Sequence, residues 1–579
     1  MRPVSSRCLV NVNYFRSILA LLAVALSVGP TFGAVPVEVT PVVARHGMVV
    51  AGHPQAAAAG VRTLQAGGNA IDAAITVSLA LNVAEPYGSG LGGKLMLLYY
   101  EATSGRTFVI DAMDASGSVD VAAYLQRPKA DRSYGYGSVC VPGLGAGLWL
   151  AHQKWGARDW AADVAPAIEL ARAGTEILPK TRLFYAEQEK KLKQGDAEIA
   201  RLYLPGGQLP ETGTFLANPD LAATLEQFAA HGRDGFYRGR VAEALVHASA
   251  EGGGDLTLED LANYEARLTE PVQLDFRGYQ ILSAPPPASG PALFLTIMKV
   301  LEPDTFAGGP LRTADNLDWI GRVWRHVVPQ VQSGIADVPE ARFNFEQMIA
   351  PESIAALREQ ALQNTPIAAE QEVALWLDDS FTDNAMAATT HFAVADAAGN
   401  IVCATQSLSL HFGAGVVAPG TGVVLNDTMS NFAYFDAGNI NYIAPGKRPR
   451  STIAPTMVFR AGRPQFAIGI PGSSRIPTAI LQALLDRLVL HRSLADAIGD
   501  TRVHLTGGQG WNGEETVEAE QSLPADVVRD LEQRGWKVEL PEPANTGRHF
   551  GGINVIATNP DGTYTGYADP RRTNAAAGY

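Results

Sequence analysis

The sequence predicts an α+β fold, with helices and mainly antiparallel strands around a layered core that draws on both halves of the chain. Three observations carry this: alanine-rich helical segments early in the chain, short glycine-bounded strands late in it, and the absence of any internal repeat. With 579 residues and 46% apolar content, the chain can bury a large core. Its formal net charge of −14 excludes a nucleic-acid backbone or an anionic membrane surface as the main partner, because either would repel it. Small-molecule and short-peptide substrates remain.

The elements are taken from the N-terminus. Arg2, Arg7 and Arg16 precede an apolar run from Ile18 to Val28, followed by Pro30 and the small residues of TFGA. This pattern predicts a secretory signal peptide over 1–34, cut near Gly33 or Ala34, and a periplasmic or secreted protein; an uncleaved anchor is the alternative. The run is shorter than the roughly 20 residues a membrane span needs, and no other stretch approaches one, so no stable membrane anchor is expected. Cys8 leaves with the signal. Cys140 and Cys403 then make no disulfide framework: Cys403, inside a strand pattern, reads as a small buried hydrophobe, and a bridge between the two is left open. The eleven histidines lack ligand spacing, so neither a metal nor a cofactor is expected.

GMVVAGHPQAAAAGVRTLQAGGNAIDAAITVSLALNVAEP reads as two small-residue helices punctuated by Gly67, Gly68 and Pro86, with alanine on nearly every face. VPGLGAGLWLAHQKWG and DVAPAIELARAG continue the helical pattern. In LTLEDLANYEARL, Thr257 and Asp260 form a helix-start signal. PVQLDFRGYQILS alternates as strand before a triple proline. Residues 378–388, DDSFTDNAMAA, show no period and read as an exposed linker. After it, GAGVVAPGTGVVLND, APTMVFRAGRPQFAIGI and GGINVIATNPDGTYTGYADP read as short strands with glycine turns.

Between the linker and those strands stands TTHFAVADAAGNIVCATQSLSL, a hairpin turning at Asp396 to Asn400. Pairing Ala395 with Ile401 sets His391 against Thr405 and Thr389 against Ser407, with Ser409 a step further on the same side. Hydroxyls thus gather at one end, although threonine is also an ordinary strand former. Cutting the chain between Ala388 and Thr389 would make Thr389 an N-terminus. Its own α-amine, with an ordinary pKa of about 7.7 to 8.0, could then serve as general base for its own Oγ.

The chain resembles the γ-glutamyltranspeptidase family of N-terminal-nucleophile hydrolases. The resemblance is carried by GMVVAGHPQAAAAGVRTLQAGGNAIDAA, VPGLGAGLWLAH, GFYRGRVAEAL, LTLEDLANYEARLTEPVQLDFRGYQILSAPPPASG, TTHFAVADAAGN, APGKRPRSTIAPTMVF, GIPGSSRI and ADPRRTNAAAGY, in order. It implies a four-layer αββα sandwich made as one precursor that cleaves itself into a large subunit, 35–388, and a small catalytic subunit, 389–579. It further implies that Thr389 is the nucleophile, that Ser407 steadies it, and that the backbone N–H groups of Gly472 and Ser473 form an oxyanion hole, Ser473 replacing a glycine provided its φ stays negative. Ser451 and Thr452 fall where the family holds the substrate's α-carboxylate.

The pattern breaks where the family binds the charged end of a γ-glutamyl group. Met113 stands at the position of an arginine, Asn431 at that of an aspartate, Ser409 at that of an asparagine, and Thr428 at that of a glutamine or glutamate. Losing both charges suits a less polar or singly charged acyl group, the direction in which the family's glutaryl-type cephalosporin acylases depart. Lys94 interrupts a usual run of glycines and is read as a surface residue, the alternative being that it supplies the missing positive charge. A short connection between Phe432 and Pro445 leaves no room for the family's lid. RVWRHVVPQVQSGIADVPE takes the place of a recognisable helix. The expected function is a self-processing amide hydrolase or acyltransferase acting on γ-glutamyl amides such as glutathione, with no cofactor. The same chemistry on a glutaryl or aliphatic acyl group, or an unprocessed non-catalytic relative, are the alternatives.

Overall fold

The computed structural model describes residues 37–306, 310–364, 387–506, 515–539 and 547–579; the signal-like segment 1–34 and the linker residues 378–386 fall outside them. Two seven-stranded sheets organise the molecule. The first runs, edge to edge, through Ala575–Gly578, Met48–Ala51, Ala387–Ala395, Ile401–Leu410, Lys94–Glu101, Arg106–Ala112 and Arg267–Thr269. The second runs through Pro41–Ala44, Tyr564–Ala568, Asn554–Thr558, Arg463–Gly469, Thr456–Arg460, Tyr279–Ser283 and Val272–Phe276. Neighbouring strands are antiparallel throughout both sheets.

Side-chain alternation along each strand sorts residues into layers. Met96, Leu98, Ala393 and Cys403 of the first sheet meet Met457, Ala467 and Ile556 of the second, and these form the central seam. Leu95, Leu97, Phe392 and Val394 point the other way, onto a helical layer that includes Ala73, Ile75, Val77 and Ala80. On the far side, Val458, Ile468 and Val555 pack against Phe294, Ile297, Ile480 and Leu484. The order is therefore helix, sheet, sheet, helix, as the family resemblance implied.

Local chemistry explains the elements. The helix Ala70–Ala84 is buried at all fifteen positions, which is why its alanines show no face. Asn69 caps it and Asp72 closes a capping box. Thr257 caps Leu258–Asn263 by accepting from the Asp260 N–H at 3.0 Å. The hairpin between Val272–Phe276 and Tyr279–Ser283 turns on Arg277 and Gly278, both at positive φ. RVWRHVVPQVQSG, expected to break the family pattern, lies within the helix Ala314–Gly334; it starts at a Thr313 cap and buries Leu317, Ile320, Val327 and Val331. Its apolar stripe was sufficient for a helix even with Pro329 inside. GAGVVAPGTGVVLND makes isolated bridges, Val417 to Val424 and Leu425 to Gly92, instead of strands. Cys140 and Cys403 are both buried and free. Among the described residues no helix is long and apolar enough to cross a membrane.

The C-terminal segment is fastened by buried charges. Asp569 is fully buried and pairs with Arg502 and Arg571, and Arg571 also donates to Glu520 through Nε at 2.7 Å. Burial opposes ionisation of Asp569, but the two guanidinium groups outweigh it and hold the carboxyl below its usual range. A depressed carboxylate pKa stabilises the fold above the unfolded-state value, and that stability is lost as pH falls through the folded-state value. Asp569→Ala strands two buried cations and is expected to cost about 3 to 5 kcal/mol in urea denaturation at neutral pH, with a smaller difference from wild type in acid.

Candidate active site

The hairpin of Ala387–Ala395 and Ile401–Leu410 keeps the predicted register from Ala395 opposite Ile401 as far as Thr390 opposite Gln406. There it slips, and Ala388 pairs with Ser409, leaving Thr389 opposed by both Ser407 and Leu408. The straight register expected at Thr389 is thus replaced by a bulge whose extra residue lies on the Ile401–Leu410 strand. Ser409 takes up the slip with a φ of 83°, a region unfavourable for a residue with a side chain.

The bulge gathers three oxygens. The Thr389 hydroxyl donates to the Ala388 carbonyl at 2.7 Å and lies 3.0 Å from the Ser407 hydroxyl. Ser407 donates to that same Ala388 carbonyl and accepts from the Ser409 N–H at 3.0 Å. The nucleophile candidate and a polarising donor therefore both sit on the peptide bond that precedes Thr389. Thr389 is 4% exposed.

His391, two residues on, is not a base for this group. It is wholly buried, burial pushes its pKa down to about 3, and its Nδ1 lies 2.8 Å from the Thr405 hydroxyl. The second sheet closes over it: Gly469 packs so tightly that a Cβ there would lie 2.2 Å from the imidazole. Asn554, paired with Gly469, donates to the His391 carbonyl at 2.7 Å.

Three residues beyond Gly469 comes the predicted oxyanion turn. Gly472 and Ser473 have φ of 151° and 54°; Ser473 is therefore left-handed, and the negative φ on which its replacement of a glycine was conditioned is not met. The chain must turn sharply here to open the helix Arg475–Leu488, and the Arg475 and Ile476 N–H groups donate back to the Gly472 and Ser473 carbonyls at 3.0 Å. The Thr452 hydroxyl donates to the Ser473 carbonyl at 2.9 Å and fixes the strained residue. Neighbouring Ser451 is buried, and its carbonyl accepts from the Ser289 N–H.

The remaining predicted residues are placed unevenly. Ser409 donates to the Asn431 carboxamide oxygen at 3.0 Å, and Asn431 is partly exposed. Met113 is fully buried in the inter-sheet seam, so its apolar side chain is absorbed into the core. Thr428 is also fully buried; its hydroxyl donates to Asp114 at 2.7 Å and accepts from Lys94 Nζ at 3.2 Å. Lys94 is no surface residue: it is completely buried, 3.8 Å from Asp114. Gly93 beside it has no room for a side chain, because a Cβ would lie 2.2 Å from the Ser407 carbonyl.

Two participants were missed from sequence. Arg572, buried, donates to the Thr389 carbonyl at 3.3 Å, and burial pulls its pKa down to about 10. Glu85, buried behind the same strand, accepts from Tyr87 at 2.9 Å and Thr573 at 3.3 Å; burial raises its pKa. The signal for Arg572 was the run ADPRRTN near the C-terminus; for Glu85 it was an acid at the end of an otherwise apolar helix. Elsewhere, Asp72, His152 and Asp163 bring ligand-type atoms within 4.8 Å of one another. There the Asn69, Ala157 and Arg158 N–H groups already occupy Asp72, and the Arg158 guanidinium lies 3.5 Å from Asp163.

A four-layer sandwich with a hydroxyl nucleophile candidate at the head of a central strand defines the N-terminal-nucleophile hydrolase class. The family model described as gamma-glutamyltranspeptidase matches residues 56–579, and the chain belongs to that family and is a hydrolase of the γ-glutamyltransferase type. It is 33% identical to a glutathione hydrolase proenzyme of Pseudomonas sp. (strain A14), covering 97% of this chain and 99% of the relative. It is 35% identical to the acylase ACY 1 proenzyme of Pseudomonas sp. (strain SE83), covering 92% of this chain and 93% of the relative. The structure of a cephalosporin acylase from Bacillus halodurans superposes with a TM-score of 0.81 at 26% identity, over 96% of this chain and 99% of that one.

Gly469→Ala places a methyl against the His391 ring; overpacking of this kind is expected to lower stability by about 1 to 3 kcal/mol, read as a reduced denaturation midpoint with unchanged slope.

Proposed function

We propose that the chain is a proenzyme that cleaves its own bond between Ala388 and Thr389 and then works as an amide hydrolase and acyltransferase through Thr389. The observation that carries this is the convergence of the Thr389 and Ser407 hydroxyls on the Ala388 carbonyl. In the first step Thr389 Oγ adds to the Ala388 carbonyl carbon, with Ser407 donating to the carbonyl oxygen. The C–N bond breaks, and the Thr389 nitrogen leaves as an amine that takes up the hydroxyl proton. Water hydrolyses the resulting ester, so that Ala388 ends the large subunit, 35–388, and Thr389 begins the small one, 389–579.

The liberated amine supplies the base, a role that His391, sealed and neutral, does not fill. In each turnover Thr389 Oγ adds to the donor's amide carbon and the amine of the leaving group departs with a proton. The threonyl ester then passes its acyl group to water or to an acceptor amine. The resemblance assigns the oxyanion to the backbone N–H groups of the Gly472–Ser473 turn, in which Ser473 is left-handed.

γ-Glutamyl amides such as glutathione are the leading substrate class, supported by the family and by the hydroxyls of Ser451 and Thr452. A second reading, an acyl group that lacks the ammonium, is favoured by the neutral Asn431 and the buried Met113. The signal-like pattern over 1–34 supports a periplasmic or secreted location.

On a denaturing gel the wild type is expected to give two bands and Thr389→Ala one full-length band. Ser407→Ala, which loses the polarising donor, is expected to process about tenfold to a thousandfold more slowly. A single band from the wild type would overturn the reading. Asn431→Asp restores an acidic partner for a substrate ammonium; it is expected to raise kcat/KM for a γ-glutamyl anilide relative to a glutaryl anilide by about tenfold.

A further inference from the structure

Four strands of the first sheet carry a row of side chains on the face that meets the second sheet. Ser407 is the cross-strand partner of Lys94, and the Leu95–Ala112 register continued by one step sets Lys94 opposite Met113. Thr389 stands beside Ser407 at the other end of the row. The order is thus Thr389, Ser407, Lys94, Met113, and the alternation of Met96, Leu98 and Met113 into the inter-sheet seam fixes the face. Lys94 is two strand spacings, about 10 Å, from the nucleophile.

Its ammonium is poorly satisfied. It has three N–H donors. Among the described residues it makes one hydrogen bond, to Thr428 at 3.2 Å, and faces Asp114 at 3.8 Å, longer than a direct charged hydrogen bond. A lysine with no exposed surface is costly to keep unless something completes its shell. Buried Asp427 and Cys140 also act on it electrostatically, while Met113, Thr428, Asn431 and Ser409 carry no charge.

We propose that Lys94 is a specificity-determining residue that receives the carboxylate at the far end of the donor's acyl chain. This rests on the reading of Thr389 as nucleophile. The amide carbon of the donor lies at Thr389, and a short diacid chain runs along the row past Ser407, so that its terminal carboxylate meets the Lys94 ammonium. Release of Ala388 from Thr389 would free the strand end paired with Ser409, beside the head of this row. Burial lowers the pKa of Lys94 and raises that of Asp114 to about 7, so Asp114 can take a proton as the incoming carboxylate replaces it beside the ammonium. A γ-glutamyl and a glutaryl group both end in such a carboxylate, and Lys94 serves either.

The test compares γ-glutamyl, glutaryl and pentanoyl p-nitroanilides on the processed wild type, Lys94→Met and Lys94→Arg. The ratio of kcat/KM for glutaryl over pentanoyl donor is expected to fall by about tenfold or more in Lys94→Met, mainly through KM, and to recover partly in Lys94→Arg. Whichever carboxylate donor loses more identifies the native acyl group. A purely structural lysine would move all three donors together, and an unchanged ratio, or a wild type that favours the pentanoyl donor, overturns the proposal. If Lys94→Met does not fold, Lys94→Gln is read in the same way. Two bands on a gel with an unchanged ratio would sink Lys94 alone, whereas one band and no turnover of any donor would remove the Thr389 chemistry beneath it as well.

Discussion

The slip between Thr390 and Ala388 is the constraint on which the rest depends. In an unbroken ladder the Ala388 carbonyl would be engaged by a neighbouring strand; the slip instead leaves it facing two hydroxyls, one of which belongs to the residue it is joined to. A strand in a sheet is among the stiffest supports a protein offers, so the bulge holds this geometry without a loop having to find it. The distortion is not free, and the positive φ of Ser409 and Ser473 on either side of the site shows where strain is stored. The surrounding elements hold that strain in place: Arg572 on the Thr389 carbonyl, Asn554 on the His391 carbonyl, and Thr452 on the Ser473 carbonyl.

Close approach of backbone explains why glycines punctuate this region. Gly93 lets the Ser407 carbonyl pass, and Gly469 lets the two sheets meet over His391. Lys94 then occupies space beside Gly93 that a further glycine would leave empty, and it brings a charge with it. Position 431 carries no acid and position 113 no cation, while Lys94 stands in register between Met113 and Ser407.

Much of the fold was legible in the sequence because its signals are local. Thr257 and Asp260 announce a helix start, and the alternation after Thr389 a hairpin whose register held for every pair up to Thr390. What was not legible depended on distant segments. The bulge at Thr389 has no composition signature, since it is set by how Ala388 and Ser409 meet. Lys94 read as a surface residue because a lone lysine usually is one; only its partners, Asp114 nearby in the chain and Thr428 334 residues further on, make it a core residue. Replacement of a glycine by Ser473 carried the condition of a negative φ, and the turn into Arg475–Leu488 holds it at a positive one. Arg572 and Glu85 reach Thr389 and its strand from the two ends of the chain, and no spacing rule connects them.

The most direct measurement is mass spectrometry of the small chain, before and after acid quenching of the enzyme during turnover of an anilide donor. The account predicts a chain whose first residue is Thr389 and, in the quenched sample, the added mass of one acyl group carried on that same residue. An active protein in which residues 388 and 389 remain joined, or an acyl group found on any other side chain, would contradict it.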